Sequence, residues 1–199
     1  MTEIQSKPLN ETEEKIVEAA IRCFVRFGAR KTAMADIAAE AGVSRQTLYD
    51  LFGGKDDLIR ASIRVITDRN LAAVRGRLDA CETLSEKLDA YFADTVIKSF
   101  ELLQTAGDAE DLVSGHNAAG RDEIARSHQR HEVLVRELLI PHETALGANG
   151  LTVEQQAHLF VTTVMALKYG ATNRKDLDEL LATLKVNVLT VAKQNQANL

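Results

Sequence analysis

The sequence has no tryptophan, two cysteines, two prolines, three tyrosines and six phenylalanines in 199 residues. Cys23 and Cys81 stand far apart and fit no zinc or redox spacing, which excludes a disulfide-stapled or Cys-ligated scaffold. Free thiols in a reducing cytoplasm are expected, with Cys23 a small core residue. So few prolines impose few breaks, and plentiful Ala, Leu, Glu and Lys favour helix. No run is long and apolar enough to cross a bilayer. The richest, Ala157 to Leu167, is interrupted by threonines and ends at Lys168. No apolar N-terminal signal segment stands out, so no membrane association is expected. P-loop, GxGxxG and nucleophile–base patterns are missing too, so neither enzymatic activity nor a cofactor is expected.

What is present is helical periodicity, sharpest between Thr32 and Leu58. Ile37, Ala38 and Ala41 give one short helix a buried face, and Gly42 permits a tight corner. Ser44 is placed to cap a second helix by accepting from the backbone N–H of Gln46 or Thr47. Leu48 and Phe52 turn that helix inward and leave Arg45, Gln46, Thr47 and Tyr49 with free polar heads. A short helix anchored on one side and polar at its N-terminal end suits a DNA major groove. An ordinary helical corner that binds nothing has the same spacing.

The run Phe27-Gly28, Thr32, Ile37-Ala38, Ala41-Gly42-Val43-Ser44, Thr47-Leu48-Tyr49, Phe52 and Lys55 resembles the DNA-binding domain of the TetR family of bacterial transcriptional regulators. The resemblance covers roughly Lys15 to Leu58. It implies an all-α protein: an N-terminal three-helix helix-turn-helix DNA-binding domain followed by a larger helical ligand-binding and dimerisation domain. The expected boundaries are 1–9 for a flexible N-terminus, 10–58 for the DNA-binding domain and 59–199 for the second domain. Three departures from the family pattern remove polar groups: Ala33, Leu51 and Gly54. Gln46, where Gly is frequent, adds one.

Base-edge chemistry assigns reading to three residues. Arg45 can fork to guanine O6 and N7, Gln46 can pair with adenine N6 and N7, and the Thr47 methyl can meet a thymine methyl. Arg30, Lys31, Thr32, Ser44, Tyr49 and Lys55 suit phosphate contact, Tyr49 and Lys55 also by resemblance. Asp50 would repel phosphate there, so it is expected to point away or to pair with a neighbouring arginine. The chain carries a net charge of −5. Residues 22–55 nevertheless hold six basic residues against three acidic, or +3, leaving −8 elsewhere. Local potential governs docking, because salt screens charge beyond about 8–10 Å.

Along the chain, Asn10 and Glu13 read as a capping box opening a helix that Gly28 stops. Thr32 is expected to cap the next helix. A long helix from Lys55 to about Asp79 forms a lever toward the second body. There, helices are expected over Leu84 to Leu103, Arg121 to Ile140, Val153 to Tyr169 and Lys175 to Gln194. A short helix among loops is expected from Thr105 to Gly120, and a loop from Gly147 to Gly150.

The last two helices carry more apolar surface than a monomer needs, which points to a homodimer, as does the resemblance. The resemblance also implies a small-molecule effector. Its candidate pocket residues are Tyr91, Phe92, Phe100, His128, His131, Phe160, Met165 and Tyr169, suiting a largely apolar compound. His128 and His131, three apart, could hold a metal with His116, His142 or His158, but such pairs are common without one and no metal is expected. The reading is therefore a cytoplasmic, nucleoid-associated repressor. It binds a palindromic operator on double-stranded DNA as a dimer and is released by an effector. The alternatives are an activator, or a protein acting through protein–protein contacts with DNA as a tether.

Overall fold

The computed structural model describes residues 9–105 and 118–193. The expected flexible N-terminus lies almost wholly outside the described residues, as do most of the short helix expected at Thr105–Gly120 and His116. Every regular element among the described residues is helical. They are α1 (Glu11–Phe27), α2 (Met34–Ala41), α3 (Arg45–Phe52), α4 (Lys55–Leu78) and α5 (Leu84–Tyr91). A π-helical segment (Phe92–Ile97) runs straight into α6 (Lys98–Thr105). Then come α7 (Ala118–Leu139), α8 (Glu143–Ala148), α9 (Val153–Gly170) and α10 (Arg174–Ala192).

Helix starts follow local capping chemistry. Asn10 Oδ1 accepts from Glu13 N–H at 3.0 Å while the Glu13 carboxylate accepts from Asn10 N–H at 2.7 Å. Thr152 and Gln155 repeat the exchange at the start of α9. One expected cap is corrected: α2 begins after Ala33, not Thr32. Ala33 has no capping oxygen, so the Asp36 carboxylate accepts its N–H instead, at 2.9 Å. An acid at the third helical position was the available signal.

The chain divides into two compact units, the first covering residues 9–65 and 118–124 among those described. Its core joins Ile16, Ala20 and Phe24 of α1, Ile37 and Ala41 of α2, Leu48 and Phe52 of α3, and Leu58 and Ile59 of α4. Each large aliphatic or aromatic side chain fully buried there contributes about 1.5–3 kcal/mol, far more than the exposed ion pairs around it. The start of α7 joins this unit, with Gly120 against Ile59 and Ile63 at a separation that would still leave a side chain in ordinary van der Waals contact. A methyl group there would lie 3.5 and 3.6 Å from Ile63 and Ile59. Nearby, buried Glu123 accepts both ends of the Arg64 guanidinium at 3.0 and 3.3 Å.

The second unit covers 66–105 and 125–193. Leu88, Tyr91, Phe92, Val96 and Phe100 face Leu134, Val135 and Leu138 of α7, Phe160 and Val164 of α9, and Leu177 and Leu181 of α10. The stretch expected as one helix from Leu84 contains the π segment. Its wider turn brings Phe92, Asp94, Thr95 and Val96 all inward. Buried Asp94 is compensated by ion pairs with Arg77 and Lys98. After the helix that ends before Pro141, a 3-10 turn (Ile140–His142) leads straight into α8, which buries Ala145 and Leu146 and reaches into the loop expected at Gly147–Gly150. No helix among the described residues is long and apolar enough to cross a membrane.

Candidate nucleic-acid interface

The corner between α2 and α3 is set by Gly42, whose φ of 65° lies in the left-handed region that favours glycine. Its N–H donates to Ala39 O at 3.1 Å, and Val43 N–H donates to Ala38 O at 3.0 Å, closing α2. Ser44 then caps α3 by accepting Thr47 N–H at 3.0 Å.

With 3.6 residues per turn, buried Leu48 and Phe52 put Gln46 and Asp50 on the opposite side of α3. Arg45, Gln46, Tyr49 and Asp50 are all exposed. Asp50 pairs with Gln46, not with an arginine: Gln46 Nε2 donates to Asp50 Oδ1 at 2.7 Å. One amide N–H is thereby used, and the other N–H and Oε1 stay available for a base edge. The acid thus orients the amide and is itself partly satisfied. Thr47 is half-buried and faces a shallow hollow with Leu51, Asn10 and Thr12. The hydroxyls of Ser44 and Thr47 lie 2.8 Å apart, so they share one hydrogen and keep one to donate.

Two residues assigned to phosphate are placed otherwise. Thr32 is 2% exposed, and its hydroxyl is directed to Gly28 O at 2.8 Å and Cys23 O at 3.2 Å. It closes the end of α1 and presents no hydroxyl to solvent. Lys55 Nζ donates to Ala29 O, Thr32 O and Arg30 O at 3.0, 3.2 and 3.3 Å. Threonine and lysine can serve a carbonyl as well as a phosphate, and no local pattern tells the two uses apart. Arg30 and Lys31 project from the same loop and are exposed.

In the second unit the candidate pocket side chains divide into a cluster and outliers. Tyr91, Phe92, His131 and Phe160 are buried together. Phe160 lies 5.4 Å from Tyr91 and stacks on Phe92 at 5.7 Å, while His131 meets Tyr91 edge-on at 5.7 Å. Tyr91 hydroxyl and His131 Nδ1 are 3.0 Å apart and share a hydrogen. Burial pushes the Tyr91 phenol up and His131 down to about 3, with Lys168 and His128 adding to the latter. Burial also lowers His128, and it lowers Lys168 to about 8. Phe100 and Met165 belong to the surrounding core, His128 is half-buried, and Tyr169 is 41% exposed beneath the Lys168 ammonium. Among the described residues the histidines expected to complete a site do not converge: His142 meets Ala192 O and His158 meets Glu132. Among the described residues, no three His, Cys, Asp or Glu side chains could hold a metal ion.

Residues 16–62 match the family model described as bacterial regulatory proteins, tetR family. The chain is 32% identical over 142 residues to the uncharacterized HTH-type transcriptional regulator YvdT of Bacillus subtilis, covering 68% of this chain and 71% of that one. It is 34% identical over 93 residues to the HTH-type transcriptional regulator BetI of Brucella anthropi, covering 47% of each. The chain thus spans about half the length, or less, of several curated relatives it matches. In fold it is similar to a solved TetR-family regulator from Rhodococcus sp., with a TM-score of 0.69 at 20% identity over 93% of this chain and 100% of that one. The fatty acid degradation regulator FadR from Bacillus halodurans gives 0.68 at 18% identity, over 96% of this chain and 100% of that one. A helix-turn-helix with its polar face outward, in a chain so related, belongs to the TetR family of DNA-binding transcriptional regulators, which are not enzymes.

Proposed function

We propose that the chain is a repressor: a homodimer that binds a palindromic operator and leaves it when a small molecule occupies the second domain. In this reading residues 10–58 dock on DNA and 59–199 bind the effector and dimerise, with the protein acting in the cytoplasm on the nucleoid. Arg45, Gln46 and Thr47 read bases. Arg30, Lys31, Tyr49 and the hydroxyl hydrogen left to Ser44 and Thr47 hold the backbone. The carrying observation is α3 itself, with Leu48 and Phe52 buried beneath it and Arg45, Gln46 and Tyr49 exposed.

The decisive experiment selects bound sites from random duplexes and footprints the winner. The expected consensus is two-fold symmetric, with half-sites centred about one helical turn or a multiple of it apart. Arg45→Ala should flatten one base preference per half-site by about 1–3 kcal/mol, while Lys31→Ala weakens all duplexes alike. With about six phosphates neutralised per dimer, the log–log salt slope should lie near −5. An asymmetric consensus, or none at moderate salt, sinks the assignment. Release by an apolar compound with no partner protein added would favour the effector reading over the tether.

The dimer has its own support. Leu159 on α9 and Val186 on α10 are 57% and 61% exposed, large apolar groups on the two helices expected to pair. Leu159→Glu with Val186→Glu should shift sedimentation to that of a monomer and leave only half-site affinity. An unchanged dimer would place the interface elsewhere. For the effector, the Tyr91–Phe92–Phe160 cluster with the polar Tyr91–His131 pair favours a largely apolar compound bearing one or two polar groups.

A further inference from the structure

Lys55 is the first residue of α4, where a cation opposes the positive end of its own helix dipole. That placement is unfavourable unless something else holds the charge. The loop after α1 does so. Ala29, Arg30 and Thr32 each turn a carbonyl oxygen to the ammonium, at 3.0, 3.3 and 3.2 Å. These oxygens lie just beyond the C-terminal end of α1, where helical carbonyls lose their partners and the dipole is negative. An ammonium has three N–H donors, and three carbonyls take them all. From the other side the Thr32 hydroxyl and N–H both donate to Gly28 O, at 2.8 and 3.2 Å. Four of the five carbonyls from Gly28 to Thr32 are thereby held, and the side chains of Arg30 and Lys31 are left exposed.

We infer that Lys55 is a positioning residue for nucleic-acid binding: its ammonium pins the α1–α2 loop by three carbonyls, so that the loop presents Arg30 and Lys31 at fixed places. It does not itself contact phosphate, since any such contact would take a donor from the loop. The binding half of this role rests on Arg30 and Lys31 facing the duplex backbone, as proposed above. The clamp itself stands on geometry in the DNA-free chain.

The test compares the full chain with Lys55→Met and Lys55→Arg. Arginine keeps the charge and serves phosphate at least as well as lysine, but its planar fork cannot satisfy three converging carbonyls. It also keeps the test open where Lys55→Met fails to fold. Hydrogen exchange at the amides of Gly28, Thr32 and Ala33 is measured without DNA, with those of Leu48 and Phe52 as reference. Affinity for a 30-base-pair duplex is then titrated from 50 to 200 mM salt. Both variants should speed exchange in the loop at least tenfold and leave α3 unchanged. Both should also weaken duplex binding at least tenfold. Wild-type affinity in Lys55→Arg with a loss in Lys55→Met would make Lys55 a direct phosphate contact and overturn the inference. Unchanged loop exchange with intact duplex binding by the wild type would overturn the clamp alone. No duplex affinity in the wild type would overturn the nucleic-acid role, whatever the exchange.

Discussion

Phe160→Ala is expected to destabilise the second unit by about 3–5 kcal/mol, the usual cost of deleting a buried phenyl ring. The side chain is fully buried between Tyr91 and Phe92, at centroid distances of 5.4 and 5.7 Å. Its removal forfeits transfer energy, leaves a cavity, and breaks two ring contacts worth about 0.5–1.5 kcal/mol each. The cavity closes poorly because both neighbours are held. The Tyr91 hydroxyl is tied to His131, and Phe92 lies in the π segment with Thr95, whose hydroxyl donates to Tyr91 O at 2.6 Å. Domains are stable by only about 5–15 kcal/mol, so the loss is a large share. Urea unfolding followed by near-UV and far-UV dichroism should show the midpoint fall by a third or more. Phe160→Leu, which keeps most of the volume, should cost well under half as much. A loss below about 1 kcal/mol for the alanine variant would mean that the cluster is already loose.

That expectation depends on a convergence that sequence reading could only half supply. Tyr91, Phe92, His131 and Phe160 were recognisable as candidates by type and helical position. Nothing local says that elements whose residues stand 29 to 69 positions apart bring these four together while Tyr169 stays at the surface. The helix-turn-helix was legible for the opposite reason. Gly42, the Ser44 cap and the Leu48–Phe52 pair act over at most five residues, so their chemistry is written in adjacent letters. The capping boxes of α1 and α9 were readable on the same grounds.

Thr32 and Lys55 mark where legibility ends. Their partners lie as far as 9 and 26 residues away, and the groups themselves are ambiguous. A hydroxyl or ammonium beside a DNA-binding helix is as fit to close a loop as to touch a phosphate. Gln46 and Asp50, by contrast, are four apart on one helix face, a spacing at which amide and acid pair. That nearer amide partner, and not the outward turn or the arginine pairing expected of Asp50, is what the spacing supplies. The π segment left no such trace, because its wider turn answers to packing rather than to any local residue choice.

The pH dependence of folding should carry the signature of His131. This side chain is 2% exposed and stands against Tyr91, and burial, helped by Lys168, His128 and Arg130, holds its folded value near 3. An unfolded histidine titrates near 6.5, so between these values the unfolded chain binds more protons than the folded one. Stability therefore rises with pH across that window and falls as pH drops below about 6.5. Each unit of acidification should remove about 1.4 kcal/mol, or about 2–3 kcal/mol between pH 6.5 and 4.5. Half-buried His128 is shifted the same way and remains as a shallower background in every variant. His131→Gln keeps a polar partner for the Tyr91 hydroxyl and removes the titration. Its unfolding free energy should thus start lower at pH 7 but decline less steeply, so that the two curves converge toward pH 4.5. Parallel curves would mean that the ring takes up its proton in the folded protein, with Tyr91 turning its oxygen to accept it.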